Sequence, residues 1–472
     1  MSNTMSSFKF PTAFTILFAL IAAMAAATWV VDVGQYDRVE NAKLGKEVPV
    51  PGSFKSVEPN PQGIDDVVLA PINGFYDIDS YEVRAMDVAL FVLFIGGFLG
   101  VVNATGAIDV GIKNAMVAMA GKEKWMIPIL MALFAAGGTI YGMAEESLAF
   151  YAILIPVMIR AGYDSVTGVA IIMLGAAIGT LGSTINPFAT VIASNAAGVP
   201  FTDGIGLRLV ILLVGWLICV LYVMRYAEKV RRDPSASLVA DMKEANEQHF
   251  LSEAGGDDDA QLSGRQKLIL AVFGLSFVVM IYGVSMAGWW MAKMATVFMV
   301  AAIIVGIIGK MSEENLVKNF VAGAGELLGV ALIIGVARGV VVIMDAGFLS
   351  DTVLHWSAGV VTGLSDIAFI NAMYWLQVLM SFFVPSSSGL AVLSMPIMAP
   401  LADFVGVGRD LAVTAYQSAN GLVNMINPTF AVVMGGLAIG RVRYDIWLRF
   451  TWPLLLMLTI LIMAVLSVGT IL

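Results

Sequence analysis

The sequence is poor in the residues that most catalytic and metal sites use. It contains one cysteine and two histidines in 472 residues, and only 13% of its residues are charged. Cys219 lies within an apolar run, and His249 and His355 do not have the spacing of paired metal ligands. The net charge of −9 argues against nucleic-acid binding. A histidine-built metal site and a nucleic-acid-binding protein are therefore disfavoured.

Long apolar runs dominate the chain instead. Hydrophobic residues make up 59% of the sequence, and many runs reach the roughly 20 residues that a helix needs to cross a bilayer core. Because the runs are continuous rather than alternating, they predict helices and not the strands of a membrane barrel. The first run, residues 11–31, is preceded only by Lys9 and is long enough to span, so we interpret it as a retained helix and not a signal peptide. The predicted fold class is an all-α polytopic membrane protein.

A short apolar phrase that ends in Asn-Pro occurs twice in the chain. The first copy contains IPVM at 155–158 and ends in STINP at 183–187; the second contains MPIM at 395–398 and ends in NMINP at 424–428. The spacing between the two prolines is 31 residues in one copy and 32 in the other. Duplicated, interrupted apolar helices predict the inverted repeat of a secondary transporter, with its binding site at the two breaks. Chance similarity between apolar helices is the alternative.

The repeat predicts two halves, each with a re-entrant hairpin and a broken helix. The predicted segments are a first repeat, 1–226 (scaffold helices 11–31 and 86–104, hairpin 125–160, broken helix 165–197, helix 206–226), a cytoplasmic linker, 227–266, a connecting helix, 267–288, and a second repeat, 289–472 (hairpin 369–401, broken helix 411–440, helix 446–470).

The basic residues next to the membrane predict the orientation. They form three groups, at 113–124, 225–232 and 441–443, and cytoplasmic loops carry an excess of Lys and Arg. Placing all three groups in the cytoplasm puts the N-terminus in the cytoplasm and residues 32–84 outside. We therefore expect a multi-pass protein of the cell's inner (plasma) membrane.

The two breaks carry oxygen-bearing side chains that suit a small cation. Proline removes a backbone donor and disfavours helix at the preceding residue, so carbonyl groups lose their partners within lipid. We predict Na⁺ ligands at Ser183, Thr184 and Asn186 in the first break and at Ser418, Asn420, Asn424 and Asn427 in the second. A packed proline kink without a ligand is the alternative.

The tips of the two hairpins are the predicted substrate contacts. Small residues and hydroxyls at the start of a half-helix let backbone N–H groups approach a carboxylate, and acids within an apolar block are usually functional. These acids could instead cap a half-helix. The predicted substrate-binding residues are Thr139, Glu145, Glu146, Ser147 and Asn186 from the first half and Ser386, Ser387, Ser388 and Asn427 from the second.

Arg338 interrupts an apolar helix, and Asp345 lies seven residues further on the same face. An arginine in the middle of a membrane helix needs an acidic partner or a watery cavity. Two roles of Arg338 are therefore possible from the sequence: a structural ion pair with Asp345 or another acid, and binding of an anion.

Five stretches carry a family resemblance: GGTIYGMAEESLAFYAILIPVMIRAGYD, STINP, ARGVVVIMDAG, SSSGLAVLSMPIMAPLAD and MINP. They resemble the YfcC-like branch of the anaerobic C4-dicarboxylate carrier family, within the ion-transporter superfamily. The resemblance covers nearly the whole chain. It implies a scaffold domain, a transport domain of two hairpins and two broken helices, a homodimer, and an elevator motion.

The first tip departs from the pattern of the superfamily's dicarboxylate carriers. Those carriers bind Na⁺ and substrate carboxylates with Ser-Asn-Thr signatures, whereas this chain has Glu145-Glu146-Ser147. Two acids would repel a dicarboxylate unless cations or protons offset them. Some members of the branch resemble arginine/ornithine exchangers, for which a glutamate pair would bind an amine.

These observations predict a secondary active transporter and not an enzyme. We expect it to move a small carboxylate-bearing metabolite, an amino acid or a C4-dicarboxylate, with Na⁺ or H⁺ as the coupling ion. An exchanger of basic amino acids is the first alternative and a passive channel a distant one. An intramembrane enzyme would need a nucleophile with its base, and neither histidine lies near the polar segments.

Overall fold

The computed structural model describes residues 12–41, 46–108, 110–111, 114, 122–140, 142–251, 262–361 and 363–471. Nine helices among these residues are long and apolar enough to cross a membrane. The helices in chain order are α1 (Ala13–Ala27), α2 (Ile64–Phe75), α3 (Met86–Asn103), α4 (Met126–Ile140), α5 (Leu148–Arg160), α6 (Ser165–Leu181), α7 (Ile192–Ala197), α8 (Ile205–Arg232), α9 (Lys243–Leu251), α10 (Gly264–Ala287), α11 (Met291–Gly309), α12 (Glu313–Glu326), α13 (Leu328–Ala346), α14 (Leu349–Val361), α15 (Asp366–Phe383), α16 (Ser387–Phe404), α17 (Arg409–Val423), α18 (Ala431–Ile439) and α19 (Tyr444–Gly469).

Residues 32–84, expected to lie outside the membrane, contain regular structure. Strands β1 (Gly34–Gln35) and β4 (Lys55–Ser56) pair antiparallel, as do β2 (Arg38–Asn41) and β3 (Lys46–Pro49). The long apolar runs could not predict these four short strands, because the strands lie in the polar part of the chain. α2 also belongs to this segment, and it packs along α13.

Two pairs of helices cross at glycines, and each pair joins the two halves of the chain. Where α3 meets α12, a Cβ on Gly323 would lie 2.3 Å from the carbonyl oxygen of Gly96. Where α2 meets α13, a Cβ on Gly74 would lie 1.9 Å from the carbonyl oxygen of Gly335. Glycine therefore permits the close approach of both pairs. The helix before α3 packs on α13, and the helix before α13 packs on α3, a reciprocal arrangement that a duplicated fold produces.

Each half contains a helical hairpin followed by an interrupted helix. α4 and α5 form the first hairpin, and α6 and α7 are separated by a break that includes a π-helical turn at Pro187–Val191. α15 and α16 form the second hairpin, and the helix after it stops at Val423 and resumes at Ala431. Nearly every residue of α6 and α17 is buried, so these two helices form the centre of the molecule.

The predicted linker, 227–266, does not begin at a helix end, because α8 continues to Arg232. Part of this segment packs against the base of the first hairpin. Asp164, the N-cap of α6, accepts hydrogen bonds from the hydroxyls of Tyr226 and Ser237 at 2.6 Å each. Asn246 of α9 is buried and donates to the hydroxyl of Ser165. Lys113, one of the basic residues that predict the orientation, lies outside the described residues, and so does the acidic run at 257–259.

Candidate substrate cavity

The first hairpin ends in a tight tip that faces the first break. α4 ends at Ile140, and the chain passes through Gly142 to a single 3₁₀ turn, Glu145–Ser147, before α5 begins. Gly142 has a φ of +76°, and a Cβ there would lie 2.8 Å from Oδ1 of Asn186. Glycine is needed at this position, because the backbone is left-handed and the neighbouring side chain is close.

Asn186 fastens the first break to the first hairpin. Its Oδ1 accepts hydrogen bonds from the backbone N–H groups of Phe188 and Ala189, at 2.9 and 3.1 Å. Its Nδ2 donates to the carbonyl oxygen of Gly138 at 3.1 Å. Two donors therefore already occupy the carboxamide oxygen that was predicted to bind a cation.

Asn427, the counterpart of Asn186, fastens the second break in the same way. Its Nδ2 donates to the carbonyl oxygens of Ser381 and Phe382 in the second hairpin, at 3.0 and 3.1 Å. Its Oδ1 accepts from the backbone N–H and the hydroxyl of Thr429, at 3.1 and 2.9 Å. The two asparagines of the Asn-Pro phrases thus make equivalent contacts in the two halves.

The other predicted residues of the first break lie in a hydrogen-bond network behind the cavity. The hydroxyls of Ser183 and Thr190 are 2.8 Å apart, and those of Thr139 and Thr184 are 3.2 Å apart. Gln417, on α17, accepts from Thr190 and donates to the carbonyl oxygen of Ser183 at 2.8 Å. The sequence prediction did not include Gln417, which connects the two halves, although it included the adjacent Ser418.

The two interrupted helices touch at the centre of the molecule. The hydroxyl of Ser418 lies 3.3 Å from the carbonyl oxygen of Leu181, the last residue of α6. A Cβ on Gly421 would lie 2.4 Å from Cα of the same leucine. The end of α6 and the last turns of α17 therefore pack directly together, without space for lipid.

The second hairpin and the second break contain buried polar atoms that have no partner among the described residues. Asn424 donates through Nδ2 to Oδ1 of Asn420 at 3.1 Å and to the carbonyl oxygen of Pro385 at 3.3 Å. The atoms without a partner are Oδ1 of Asn424, Nδ2 of Asn420, Oγ of Ser381 and both polar atoms of the Gln377 side chain. Buried polar groups are normally satisfied, so this interface can accept a polar ligand. Ser381 and Gln377 were not predicted, since they lie on the apolar first arm of the hairpin.

A central cavity of about 430 Å³ lies between the two tips, the two breaks and the scaffold helices. The predicted residues that line it are Glu145, Glu146, Ser147, Asn186, Arg338, Ser386, Ser387, Ser388 and Asn424. The predicted residues that do not line it are Thr139, Ser183, Thr184, Asp345, Ser418, Asn420 and Asn427. Lining residues that sequence reasoning missed include Arg84, Thr180, Phe188, Trp290 and Thr429.

One wall of the central cavity is acidic. Glu145 and Glu146 form the 3₁₀ turn at the tip, and the side chain of Glu146 is only 5% exposed. Its Oε2 accepts a hydrogen bond from the backbone N–H of Ala144 at 3.0 Å. The hydroxyl of Ser147 is buried and has no partner among the residues that the structure describes. Two adjacent acids in a buried place favour the binding of positive charge.

Arg84 contributes a positive charge to the lining of the cavity. Its guanidinium donates to the carbonyl oxygen of Asn73 at 2.8 Å and forms a salt bridge of 2.5 Å with Asp77. The backbone N–H groups of Ser80 and Asp79, together with Arg84, hold the pKa of Asp77 below its ordinary value. Arg84 ends the polar segment 32–84, where nothing in the sequence marks it as part of a site.

Arg338 contributes a second positive charge, from the middle of α13. It makes no hydrogen bond or salt bridge with the side chains that the structure describes, although Asp345 lies close enough for electrostatic attraction. The predicted structural ion pair is therefore not a direct contact. The guanidinium group is free to bind an anion in the cavity.

The second hairpin presents the start of a helix to the cavity. Ser386 is the N-cap of α16, and its hydroxyl accepts from the backbone N–H of Gly389 at 3.2 Å. Ser387 and Ser388 occupy the first turn, where N–H groups have no partner within the helix. The hydroxyl of Tyr416 donates to the carbonyl oxygen of Ser387 and so supports the tip from behind. This arrangement favours a carboxylate.

Two aromatic residues close one side of the cavity. The rings of Phe188 and Trp290 meet edge to face, with centroids 5.5 Å apart. The indole N–H of Trp290 donates to the carboxylate of Asp87, at the start of α3. The indole is therefore held in place next to the acidic tip.

Sequence comparison finds relatives along the whole chain. A sequence model of the C4-dicarboxylate anaerobic carrier family matches residues 10–471. An uncharacterized protein of Haemophilus influenzae is 36% identical in an alignment of 494 positions that covers 96% of each chain. An Escherichia coli protein named as a candidate basic amino acid antiporter, YfcC, is 32% identical, over 96% of this chain and 94% of its own.

Two solved transporters have partial similarity to the structure. The YdaH transporter of Alcanivorax borkumensis gives a TM-score of 0.41 at 14% identity and covers 97% of this chain and 98% of its own. MtrF of Neisseria gonorrhoeae gives a TM-score of 0.43 at 13% identity and covers 98% of this chain and 96% of its own.

Proposed function

The chain belongs to the C4-dicarboxylate anaerobic carrier family, and from that premise we propose that it is a secondary active transporter of amino acids. The substrate binds in the central cavity, with its ammonium group at Glu145 and Glu146. Its carboxylate binds at the N-terminal turn of α16, around Ser387. The observation that carries this proposal is the mixed charge of the cavity lining, which contains two acids of the first hairpin tip, the helix N-terminus of the second hairpin tip and two guanidinium groups.

The charge pattern favours an amino acid over a simple C4-dicarboxylate. At about 4 Å, two unit charges interact by roughly 4 kcal/mol at an effective dielectric constant of 20. A dicarboxylate would meet this repulsion at the acidic tip unless a cation or proton neutralised it. An amino acid has one group of each sign, so each of its charges can meet a lining group of the opposite sign.

A basic amino acid exchanger is the second candidate. Its support is the pair of adjacent glutamates, because a basic amino acid carries two positive groups and one negative group. The name of the Escherichia coli relative agrees with this candidate.

For Na⁺ coupling we place the ion at the second break. The side-chain oxygens of Asn186 and Asn427 already accept two hydrogen bonds each. Those of Asn424, Ser381 and Gln377 are buried without partners, and Na⁺ prefers such neutral oxygen ligands. H⁺ coupling through Glu145 or Glu146 is the alternative.

The proposed mechanism is an elevator motion of the two hairpins and two broken helices against the helices that carry Arg84 and Arg338. The carrier works as a homodimer in the inner membrane, with its N-terminus in the cytoplasm. Because one wall of the cavity belongs to each domain, sliding would separate the substrate from the guanidinium groups and carry it across.

Transport assays with purified protein in proteoliposomes test the proposal. Uptake of labelled L-arginine, L-ornithine and succinate is measured against the same unlabelled compound inside, with and without an inward Na⁺ gradient and a protonophore. We expect counterflow of at least one amino acid, which a passive channel would not give. Equal rates with and without Na⁺ exclude Na⁺ coupling, and absence of uptake of both amino acids contradicts the proposed function.

A further inference from the structure

A second cavity of about 430 Å³ lies beside the central one, under strands β2 and β3. Its walls come from α13, α14 and the second hairpin, and its charged lining residues are Arg38, Glu47, Arg338, Asp345 and Asp351. Arg338 and Val341 line both cavities. The side chain of Arg338 therefore forms part of the boundary between them.

The strands above the second cavity are fixed to α14. Arg38, on β2, forms two hydrogen bonds with the carboxylate of Asp351, at 2.9 and 3.0 Å. The same carboxylate accepts the backbone N–H of Tyr36 at 3.1 Å. Phe54 stacks on His355 with ring centroids 3.8 Å apart. Asp351 is only 3% exposed, and its carboxylate makes these hydrogen bonds with the segment that carries the strands.

Asp345 differs from Asp351, because it is exposed to the cavity. One of its oxygens accepts a hydrogen bond from the hydroxyl of Ser350 at 2.6 Å. The other oxygen has no partner among the described residues. A carboxylate group thus remains available on the wall of the second cavity.

Arg338 and Asp345 present opposite charges that do not touch. They are seven residues apart on α13, which is two helical turns or about 10 Å along the axis. Both line the second cavity, and no nitrogen–oxygen pair between them is within salt-bridge distance. A molecule with an anionic and a cationic group fits between such charges better than an ion of one sign.

We propose that the second cavity is an additional substrate site, which holds an amino acid with its carboxylate at Arg338 and its ammonium group at Asp345. The proposal rests on the proposed function, because it takes the same substrate class. Arg338 lines both cavities, so the carboxylate stays close to this guanidinium group while the substrate passes from the second cavity to the α16 turn in the central one. Glu47 adds a negative charge at the strands and attracts cationic substrates.

The site belongs to one direction of transport only. Arg338 and Asp345 lie on α13, outside the hairpins and broken helices that move in the proposed mechanism. A substrate that arrives from the face bearing residues 34–56 passes the second cavity before the central one. A substrate that arrives from the opposite face reaches the central cavity after it has moved away from Arg338.

Direction-resolved kinetics of Asp345→Asn test the proposal. Exchange of labelled L-arginine against unlabelled L-arginine is measured in right-side-out and in inverted membrane vesicles. We expect KM to rise fivefold or more for uptake from the face bearing residues 34–56, with kcat unchanged. KM from the opposite face should stay within twofold of the wild type. The matched control is Asp37→Asn, which removes the same charge from an exposed salt bridge with Lys55 outside the cavity lining, and it should leave both KM values unchanged.

Three results would overturn the proposal, and they are distinguishable. A wild-type KM from both faces of Asp345→Asn excludes substrate binding at Asp345. An equal loss in both directions together with a lower Tm shows that Asp345 supports the fold through a longer-range ion pair with Arg338. Absence of L-arginine exchange in the wild type contradicts the proposed function itself. The proposal of a second site then has no basis.

Discussion

At the scale of single residues, polar side chains of the two halves have different tasks. Asn186 and Asn427 hold each break against a hairpin through hydrogen bonds, whereas Glu145 and Arg338 line the cavity. The sequence predicts that these residues lie at breaks and tips, because Asn-Pro phrases and intramembrane charges have local signatures. It cannot predict which oxygen already has a backbone donor, since that depends on segments distant in the chain.

Asn186→Ala should destabilise the protein through the loss of both break contacts. The substitution leaves two N-terminal backbone donors and the carbonyl oxygen of Gly138 without their partner. Loss of a capping side chain costs ~1 kcal/mol, and a buried unsatisfied group costs ~1–3 kcal/mol more. We expect a clear fall in Tm of the detergent-solubilised protein. Asn186→Asp keeps the acceptor and should lose less; an unchanged Tm for the alanine variant would show that the contacts are not structural.

Glu146→Gln should impair transport and not folding. The amide keeps an oxygen to accept the N–H of Ala144 but removes the negative charge next to the substrate's ammonium group. We expect KM for L-arginine to rise on the order of tenfold, which corresponds to about 1.4 kcal/mol, at an unchanged Tm. Transport and ion dependence equal to those of the wild type would remove Glu146 from the site.

At the scale of elements, the sequence predicts the interrupted helices and the hairpins. It predicts less well the helices that pack across the boundary between the two halves. Pro187 and Pro428 mark the breaks because proline cannot continue a helix. α2 contains Pro71 and lies in a polar segment, so its apolar pattern gave no reason to expect a helix packed along α13. The strands β1 to β4 are too short for a periodic signal.

Gly323→Ala should destabilise the crossing of α12 and α3, and Gly325→Ala provides the matched control on the same helix. A Cβ at 323 would lie 2.3 Å from the carbonyl oxygen of Gly96, whereas a Cβ at 325 meets open space. Alanine also has a helix propensity better than that of glycine by ~1 kcal/mol. We therefore expect Tm to fall for the first variant and to stay or rise for the second. Equal Tm values would contradict the close approach of the two helices.

At the scale of the whole molecule, the sequence predicts two similar halves, and the structure adds how unequal their interiors are. The hydroxyls and amides of the first break bond to one another, while Asn420 and Asn424 of the second interrupted helix keep polar atoms without a partner among the described residues. Composition could not reveal this difference, because both breaks contain the same residue types. In the proposed function, the first half supplies the acids that bind the ammonium group, and the second half supplies the binding sites for the carboxylate and the cation.

Cysteine accessibility should report the orientation of the molecule in the membrane. Cys219 is buried, so an introduced Ser56→Cys or Ser235→Cys provides the reactive thiol. With residues 32–84 outside, a membrane-impermeant maleimide should label Ser56→Cys in intact cells and Ser235→Cys only after permeabilisation. The reverse pattern would invert the predicted topology.

The most direct measurement of the central claim is a cryo-EM structure of the protein with a transported amino acid bound. We expect ligand density in the central cavity, with the ammonium group at Glu145 and Glu146 and the carboxylate at the first turn of α16. Density elsewhere in the protein with an empty central cavity, or a ligand bound in the reverse orientation, would contradict the claim.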